Sequence, residues 1–246
     1  MNIYRADLHI HTVLSPCGDL EMSPVNIINK AKELKLDIIG ITDHNTTRHC
    51  ELIRKLGAEN GIFVLSGAEV TTKEEVHCLT FFEKTESLEK FQKYLIAHLP
   101  FVKNKPSIFG YQVVVDERER ILDEIDSLLI VGLDQSIEEV QAKVRELHGL
   151  FIPAHIDRQR YGILSQLGFM PEDIHPDAIE IFNKSSKEMF LSIHPEFNKY
   201  VLIRNSDAHI PDHIGRRCSF FLLDHLSFDE ITMALKRENG REIIIE

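Results

Sequence analysis

Six histidines, His9, His11, His44, His77, His155 and His209, sit in short polar clusters at or near the ends of apolar runs. The first cluster is Asp7-Leu8-His9-Ile10-His11-Thr12. On a strand, residues i and i+2 share a face, so His9 and His11 can grip one metal ion together, and Asp7 can lie on the same side. The second, Ile41-Thr42-Asp43-His44-Asn45, ends an apolar run in an acid and an imidazole; a helix N-cap by Asp43 beside a surface histidine gives the same letters. The third puts Glu69 inside a β-like run, where a buried carboxylate is costly unless it is paired or bound to a cation, and His77 follows in the next apolar run. The fourth is Pro153-Ala154-His155-Ile156-Asp157-Arg158. In the fifth, Asn205-Ser206-Asp207-Ala208-His209, Asp207 and His209 again stand at i and i+2. Any one cluster fits a satisfied core histidine or a turn. Together they supply imidazole and carboxylate donors that suit zinc, manganese or iron, and magnesium less well.

The elements that must position these residues alternate regularly. Strands are predicted at 3–10, 37–42, 62–71, 76–82, 150–154, 178–182, 200–204 and 219–223. Helices are predicted at 24–36, with Ser23 as N-cap and Pro24 in the first position, at 46–60 ending on Gly61, and at 87–98. Further helices are expected from Ser136 to 148, at 184–194 and at 227–238. Residues 99–133 break the rhythm with Pro100, Pro106, Gly110 and a charged turn. They read as an insertion, either a hairpin or lid over the site or one more packed element. Repeated strand–helix units imply an α/β fold of parallel strands with helices outside, closed or nearly closed into a barrel, with the polar clusters at the C-terminal strand ends.

Bulk properties narrow the class. A chain of 246 residues with 43% apolar content suits one α/β barrel domain over 1–246. No run of 18 apolar residues offers a membrane span, and the first residues lack the charged and apolar regions of a signal peptide. The cysteines, at 17, 50, 78 and 218, form no CxxC pair and read as reduced thiols of a cytoplasmic protein. A net charge of −11 argues against long duplex nucleic acid on a basic face, but leaves open a small phosphorylated substrate in a locally cationic pocket.

The ordered motifs DLHIHT, ITDHN, GAE with VHCL, PAH and SDAH resemble the polymerase and histidinol phosphatase superfamily, the PHP domain, over essentially the whole chain. The resemblance implies a distorted seven-stranded (β/α) barrel holding two to three divalent metal ions. It implies one ion bound by His9, His11, Glu69 and Asp207, a second sharing Glu69 with His77 and His155, and a third held by His44, His209 and an aspartate. Members often carry that acid five residues after the second histidine of HxH, where this chain has Pro16. Asp19 is the expected replacement through a longer loop, and Cys17 a weaker one.

The implied reaction is hydrolysis of a phosphate ester, by a water activated between metal ions that also neutralise the phosphate oxygens. His44 or His209, if not fully engaged as ligands, can assist proton transfer to the leaving oxygen. Arg158, Arg160, Arg216 and Arg217 are the candidate phosphate holders, Arg158 foremost, since a guanidinium fork matches phosphate oxygens; a surface charge is the plain alternative for each. The expected substrate is a small phosphate ester, a nucleotide or a short oligonucleotide, whose base would stack on Phe101, Phe109, Tyr111 or Tyr161. Competing readings are a metal-dependent amidohydrolase and a non-catalytic metal-binding regulatory domain. Glu69 at the middle strand, with no lysine at a comparable strand end, weighs against the first. The near-complete ligand set weighs against the second.

Overall fold

A computed structural model describes residues 1–183 and 187–245. The strands are β1 (Asn2–Ile10), β2 (Ile38–Ile41), β3 (Phe63–Thr71), β4 (His77–Phe82), β5 (Val113–Val115), β6 (Ile121–Glu124), β7 (Leu150–Pro153), β8 (Ile179–Glu180), β9 (Leu202–Ile203), β10 (Ser219–Leu223) and β11 (Glu242–Ile245). The helices are α1 (Pro24–Glu33), α2 (Cys50–Glu59), α3 (Thr85–His98), α4 (Pro106–Phe109), α5 (Ile137–Glu146), α6 (Ile163–Gln166), α7 (Lys187–Ile193) and α8 (Phe228–Lys236). The start of the helix expected at 184–194 lies outside the described residues.

Capping chemistry sets several boundaries as expected. The Ser23 hydroxyl accepts from the Asn26 N–H, and Ser136 and Glu139 form a reciprocal capping box on α5. α2 begins four residues later than expected. Thr46 and Thr47 spend their donors on the Gln92 side-chain oxygen, and His49 accepts the Val115 N–H at 3.0 Å, so this stretch works as a loop. The 99–133 segment folds as the short helix α4 and the hairpin β5–β6. Val113 and Val115 pack on Val13, and Val114 and Leu129 on Leu14, so the segment is both a hairpin and packed against the loop after β1. No helix among the described residues is long and apolar enough to cross a membrane.

Seven strands form one mixed sheet in the order β11-β10-β1-β2-β3-β4-β7. Only the β1–β2 and β2–β3 pairings are parallel, which corrects the expectation of an all-parallel sheet. Residues 72–76 between β3 and β4 are too few for a crossover, so β4 returns antiparallel; β7 pairs antiparallel with β4, and β10 with β1. The parallel pair β8–β9 sits between the sheet's ends. Asp177 and Ile156 exchange backbone hydrogen bonds with Phe151 and Glu180 on one side, and Ala208 and His11 bond to His9 and Ala208 on the other.

Two apolar cores lie on the two faces. α1, α2, α3 and α5 cover one, through residues such as Ile27, Ile53, Phe91 and Val140. The other face holds Ala6, Leu8, Leu65, Leu79, Phe81, Leu150 and Ile152, and α8 covers it with Ile231 and Leu235. Burying each such side chain stabilises the fold by about 1.5–3 kcal/mol. The metal-ligand candidates crown this second core. Glu69 follows Leu65 and Gly67 at even spacing on β3, and His77 precedes Leu79 and Phe81 on β4. Because β4 is antiparallel, His77 stands at its first residue, opposite Thr71, and not at a C-terminal strand end.

Candidate metal centre

β1 carries a register shift against β2 between Asp7 and Ile10. Ala6 and Leu8 lie in the α8-side core, yet Ile10 lies in the opposite one, so side-chain parity flips across the bulge. The flip brings His9 and His11 to the face of Glu69 and leaves Asp7 behind. Gly40 permits this approach, since a Cβ there would stand 2.3 Å from the Leu8 carbonyl oxygen. The expectation that Asp7 could share the histidines' face is thereby corrected. Its carboxylate instead accepts the Ser206 and Gly215 N–H groups at 2.9 and 2.8 Å, bracing the turn that carries Asp207 and His209.

Glu69 is the hub. Oε1 lies 2.8 Å from His77 Nδ1, 3.0 Å from His155 Nε2 and 3.3 Å from His9 Nε2. Oε2 lies 3.1 Å from His44 Nδ1 and 3.3 Å from His11 Nε2. Asp207 Oδ1 closes the other side, 3.4 Å from both His9 Nε2 and His11 Nε2. The His9 and His11 Nε2 atoms are only 3.1 Å apart, and the His11 and His209 rings stack at 4.0 Å. Donor atoms of His9, His11 and Glu69, of His44, Glu69 and His77, and of His11, His44 and His209 converge within the span of one ion each. The backbone accepts strain to do this: His155, Asp207 and Asn45 have φ of 29°, 53° and 48°, a region non-glycine residues enter at a cost of about 1–3 kcal/mol.

A divalent ion fits this set on the chain's own terms. Glu69 Oε2, His44 Nδ1, His77 Nε2 and His155 Nδ1 are buried and make no hydrogen bond, although buried polar atoms are normally satisfied. The donors are nitrogen and oxygen only. Burial holds His77 at about 4 and His209 at about 3, so both are neutral rings with lone pairs to give. Burial would raise Glu69 and Asp207, but the imidazoles around them, His77 and His9 foremost, hold both well below the usual carboxylate range.

A ring of buried groups orients the ligands. Glu180 accepts from His9 Nδ1 at 3.1–3.2 Å, from the His155 N–H at 2.8 Å and from Asn205 Nδ2 at 2.7 Å. Ser15 stands 3.0 Å from His11 Nδ1 and donates to Asp43 at 2.7 Å. Asp43 thus organises the loop after β1, through Thr12 and Ser15, where a helix N-cap had been the plain alternative. Tyr161 lies flat on the His77 ring at 4.3 Å, whereas Phe101, Phe109 and Tyr111 are exposed on the 99–133 segment. Sequence reasoning passed over Glu180, although a carboxylate inside the apolar run 178–182 carries the same signal that singled out Glu69.

The remaining candidates divide. Arg158 bonds Asp207 Oδ2 at 2.5 Å. With Phe182, Ser206, Asp207, His209, His213, Arg216 and Arg217 it lines a cavity of about 670 Å³ beside the cluster. Arg160 is exposed and does not line that cavity. Asp19 is not among the converging donors: its backbone N–H bonds the His209 carbonyl, but its carboxylate accepts the Glu21 N–H in an exposed turn. In that loop it is the Cys17 thiol, and not the Asp19 carboxylate, that acts on His44. Burial pulls His44 down, but Cys17, and then Glu69, hold it up at about 9.

The PHP domain family matches residues 7–156. The chain is 27% identical over 273 aligned positions to the uncharacterized protein YqxK of Bacillus subtilis, covering 97% of this chain and 63% of YqxK. Its fold is similar to that of the lesion-specific endonuclease Q of Pyrococcus furiosus (TM-score 0.75, 22% identity, 98% of this chain and 58% of that one). It is also similar to that of a proposed metal-dependent phosphoesterase of Bifidobacterium adolescentis (TM-score 0.57, 22% identity, 83% and 87%). The chain thus spans less than two thirds of YqxK and of endonuclease Q. Endonuclease Q has been solved with a 27-mer duplex substrate whose abasic lesion lies at the active site. This overturns the exclusion of long duplex nucleic acid drawn from net charge: the local field of a site, not the sum over the chain, decides whether a polyanion docks. The ordered histidine and carboxylate motifs, their convergence on Glu69 and the match over 7–156 make this chain a member of the PHP domain family.

Proposed function

We propose that the chain hydrolyses phosphate esters with divalent metal ions held at the Glu69 hub. The observation that carries this reading is one buried carboxylate within 3.3 Å of five imidazoles, with its own Oε2 and the facing His44 Nδ1 buried and without a hydrogen bond. His9, His11, Glu69 and Asp207 would hold one ion, Glu69, His77 and His155 a second, and His44 and His209 a further one. Bound ions would neutralise phosphate oxygens and acidify a water at this place. His209, kept neutral by burial, suits ligation better than proton donation. Arg158 spends one N–H on Asp207 and keeps its other donors for a phosphate at the cavity mouth. A nucleotide, free or within a strand, fits a cavity of this size. The hydrogen bonds joining β8 to β7, and the segment after β9 to β1, support a sheet closed into a distorted barrel, with the described residues as one unit and 99–133 as a wall beside the site.

The test is metal analysis of chelator-free protein together with Glu69→Gln and Asp207→Asn. Both variants should lose bound metal and hydrolysis of an aryl phosphate while retaining helical content. Full activity in both overturns the reading.

A further inference from the structure

A second cavity, of about 500 Å³, opens at the end of the sheet away from the metal ligands. Phe63 and Leu65 in its wall stand at the start of β3, ahead of Glu69, and Phe82 closes β4, whose first residue is His77. Leu226 and Phe228, at the entry to α8, complete the apolar wall. Phe63 and Leu226 pack on the α8-side core yet stay partly exposed. A concave apolar space of this volume has the form of a small-molecule site. One cation stands in the wall, Arg54 of α2. Its Nε donates to the Ser66 hydroxyl at 3.1 Å, Nη1 to the Thr85 hydroxyl at 3.4 Å and Nη2 to the Phe82 carbonyl at 3.3 Å. All three acceptors are neutral, and no acidic side chain among the described residues pairs with Arg54. Glu83 also lines the cavity, but it is exposed to solvent and forms no ion pair with Arg54. In a chain with 39 acidic against 28 basic residues, a partly buried guanidinium without an acidic partner stands out.

From this we infer that the cavity is a binding site for a small amphipathic monoanion, with an aliphatic or aromatic body against Phe63, Phe82 and Phe228 and a carboxylate on Arg54. The two parts of the wall ask for the two parts of the ligand. Apolar surface gains from covering apolar surface, and a hydrated inorganic ion offers none. A guanidinium carries five N–H donors, of which Arg54 spends three, and the rest match a carboxylate. The three neutral bonds hold the fork in place, so little freedom is lost when it takes the anion. A single guanidinium with Glu83 nearby favours one negative charge over the two of a phosphate monoester. The site is separate from the metal centre, and the inference does not rest on the phosphoesterase reading.

The test compares 2-naphthoate with 2-naphthamide, which share one apolar body and differ in charge. Affinities are measured by titration calorimetry on the full, manganese-loaded chain. Naphthoate should bind about tenfold tighter or more than naphthamide, the range expected of one charge-assisted contact. Arg54→Met, which keeps the apolar stem, should bring that ratio near one. Ala58→Phe, at an exposed position of α2 that lines the cavity, should fill it and weaken both probes about tenfold or more, with bound manganese and helical content unchanged. No binding of either probe to the wild-type chain, or a ratio near one, overturns the inference. So does naphthoate affinity undiminished in Ala58→Phe, which places the anion at the manganese or elsewhere, or a ratio undiminished in Arg54→Met. None of these outcomes bears on hydrolysis at the Glu69 hub.

Discussion

Glu180 touches no ion in the proposed scheme, yet replacing it should weaken every ion that His9 holds. In Glu180→Gln one carboxylate oxygen becomes an NH₂ group. If the amide nitrogen takes the Oε2 place, the buried His155 N–H loses its acceptor at 2.8 Å. If it takes the Oε1 place, it meets the Asn205 NH₂ at 2.7 Å. Asn205 cannot turn to accommodate it, because its own oxygen accepts the Leu8 N–H at 2.7 Å. Either placement costs one buried bond, about 1–3 kcal/mol. It also removes the negative charge that fixes the tautomer of His9 and strengthens its Nε2 as a ligand. Loss of such a supporting partner costs about 10–100-fold in metal affinity, about 1.4–2.7 kcal/mol. Competition against a chromophoric chelator measures the affinity, and urea unfolding of the metal-free chain measures the structural cost separately. A variant that binds zinc or manganese as tightly as the wild-type chain would refute the assignment of Glu180 as the group that orients His9.

Two further outcomes follow from the same geometry. Burial lifts Asp7 from its ordinary 3.8 to about 6, so the folded chain holds this proton more tightly than the unfolded one. The stabilisation is complete below pH 3.8 and is lost as pH rises through 6, about 3 kcal/mol in all; the stability difference between wild type and Asp7→Asn should shift by that amount over the window, and a pH-independent difference would contradict it. At Gly67 a Cβ would stand 1.6 Å from the Thr80 carbonyl oxygen, a backbone atom of β4 that cannot swing aside. Gly67→Ala should therefore lower stability by about 3 kcal/mol or more through forced separation of β3 from β4, seen as a lower urea midpoint; an unchanged midpoint means the strands are not paired in this register.

The residue types of the candidate metal centre were legible in the sequence because their chemistry is local. A carboxylate or imidazole inside an apolar run has few satisfied states, so His9, His11, Glu69, His77, His155 and Asp207 stand out, although each cluster alone also fits a core histidine or a turn and only the set points to metal. Capping boxes are equally local, and Ser23 and Ser136 mark their helices without help from the rest of the chain. What the spacing could not decide was direction. Alternation along β1 predicts one face for Asp7, His9 and His11, and the bulge opposite Gly40 breaks that parity, since a bulge depends on the neighbouring strand and not on the strand's own letters. The antiparallel return of β4, which delivers His77 from a strand's first residue, is likewise a property of pairing. Asp19 and Cys17 lie two residues apart in one loop, and only its anchoring to His209 and Ser15 presents the thiol to His44 and turns the carboxylate away. The Arg158 and Arg217 guanidinium groups lie over one ring, Phe182, at 4.9 and 4.1 Å, and net charge gave no hint of it, because a field inside a pocket comes from the few groups that tertiary packing brings there.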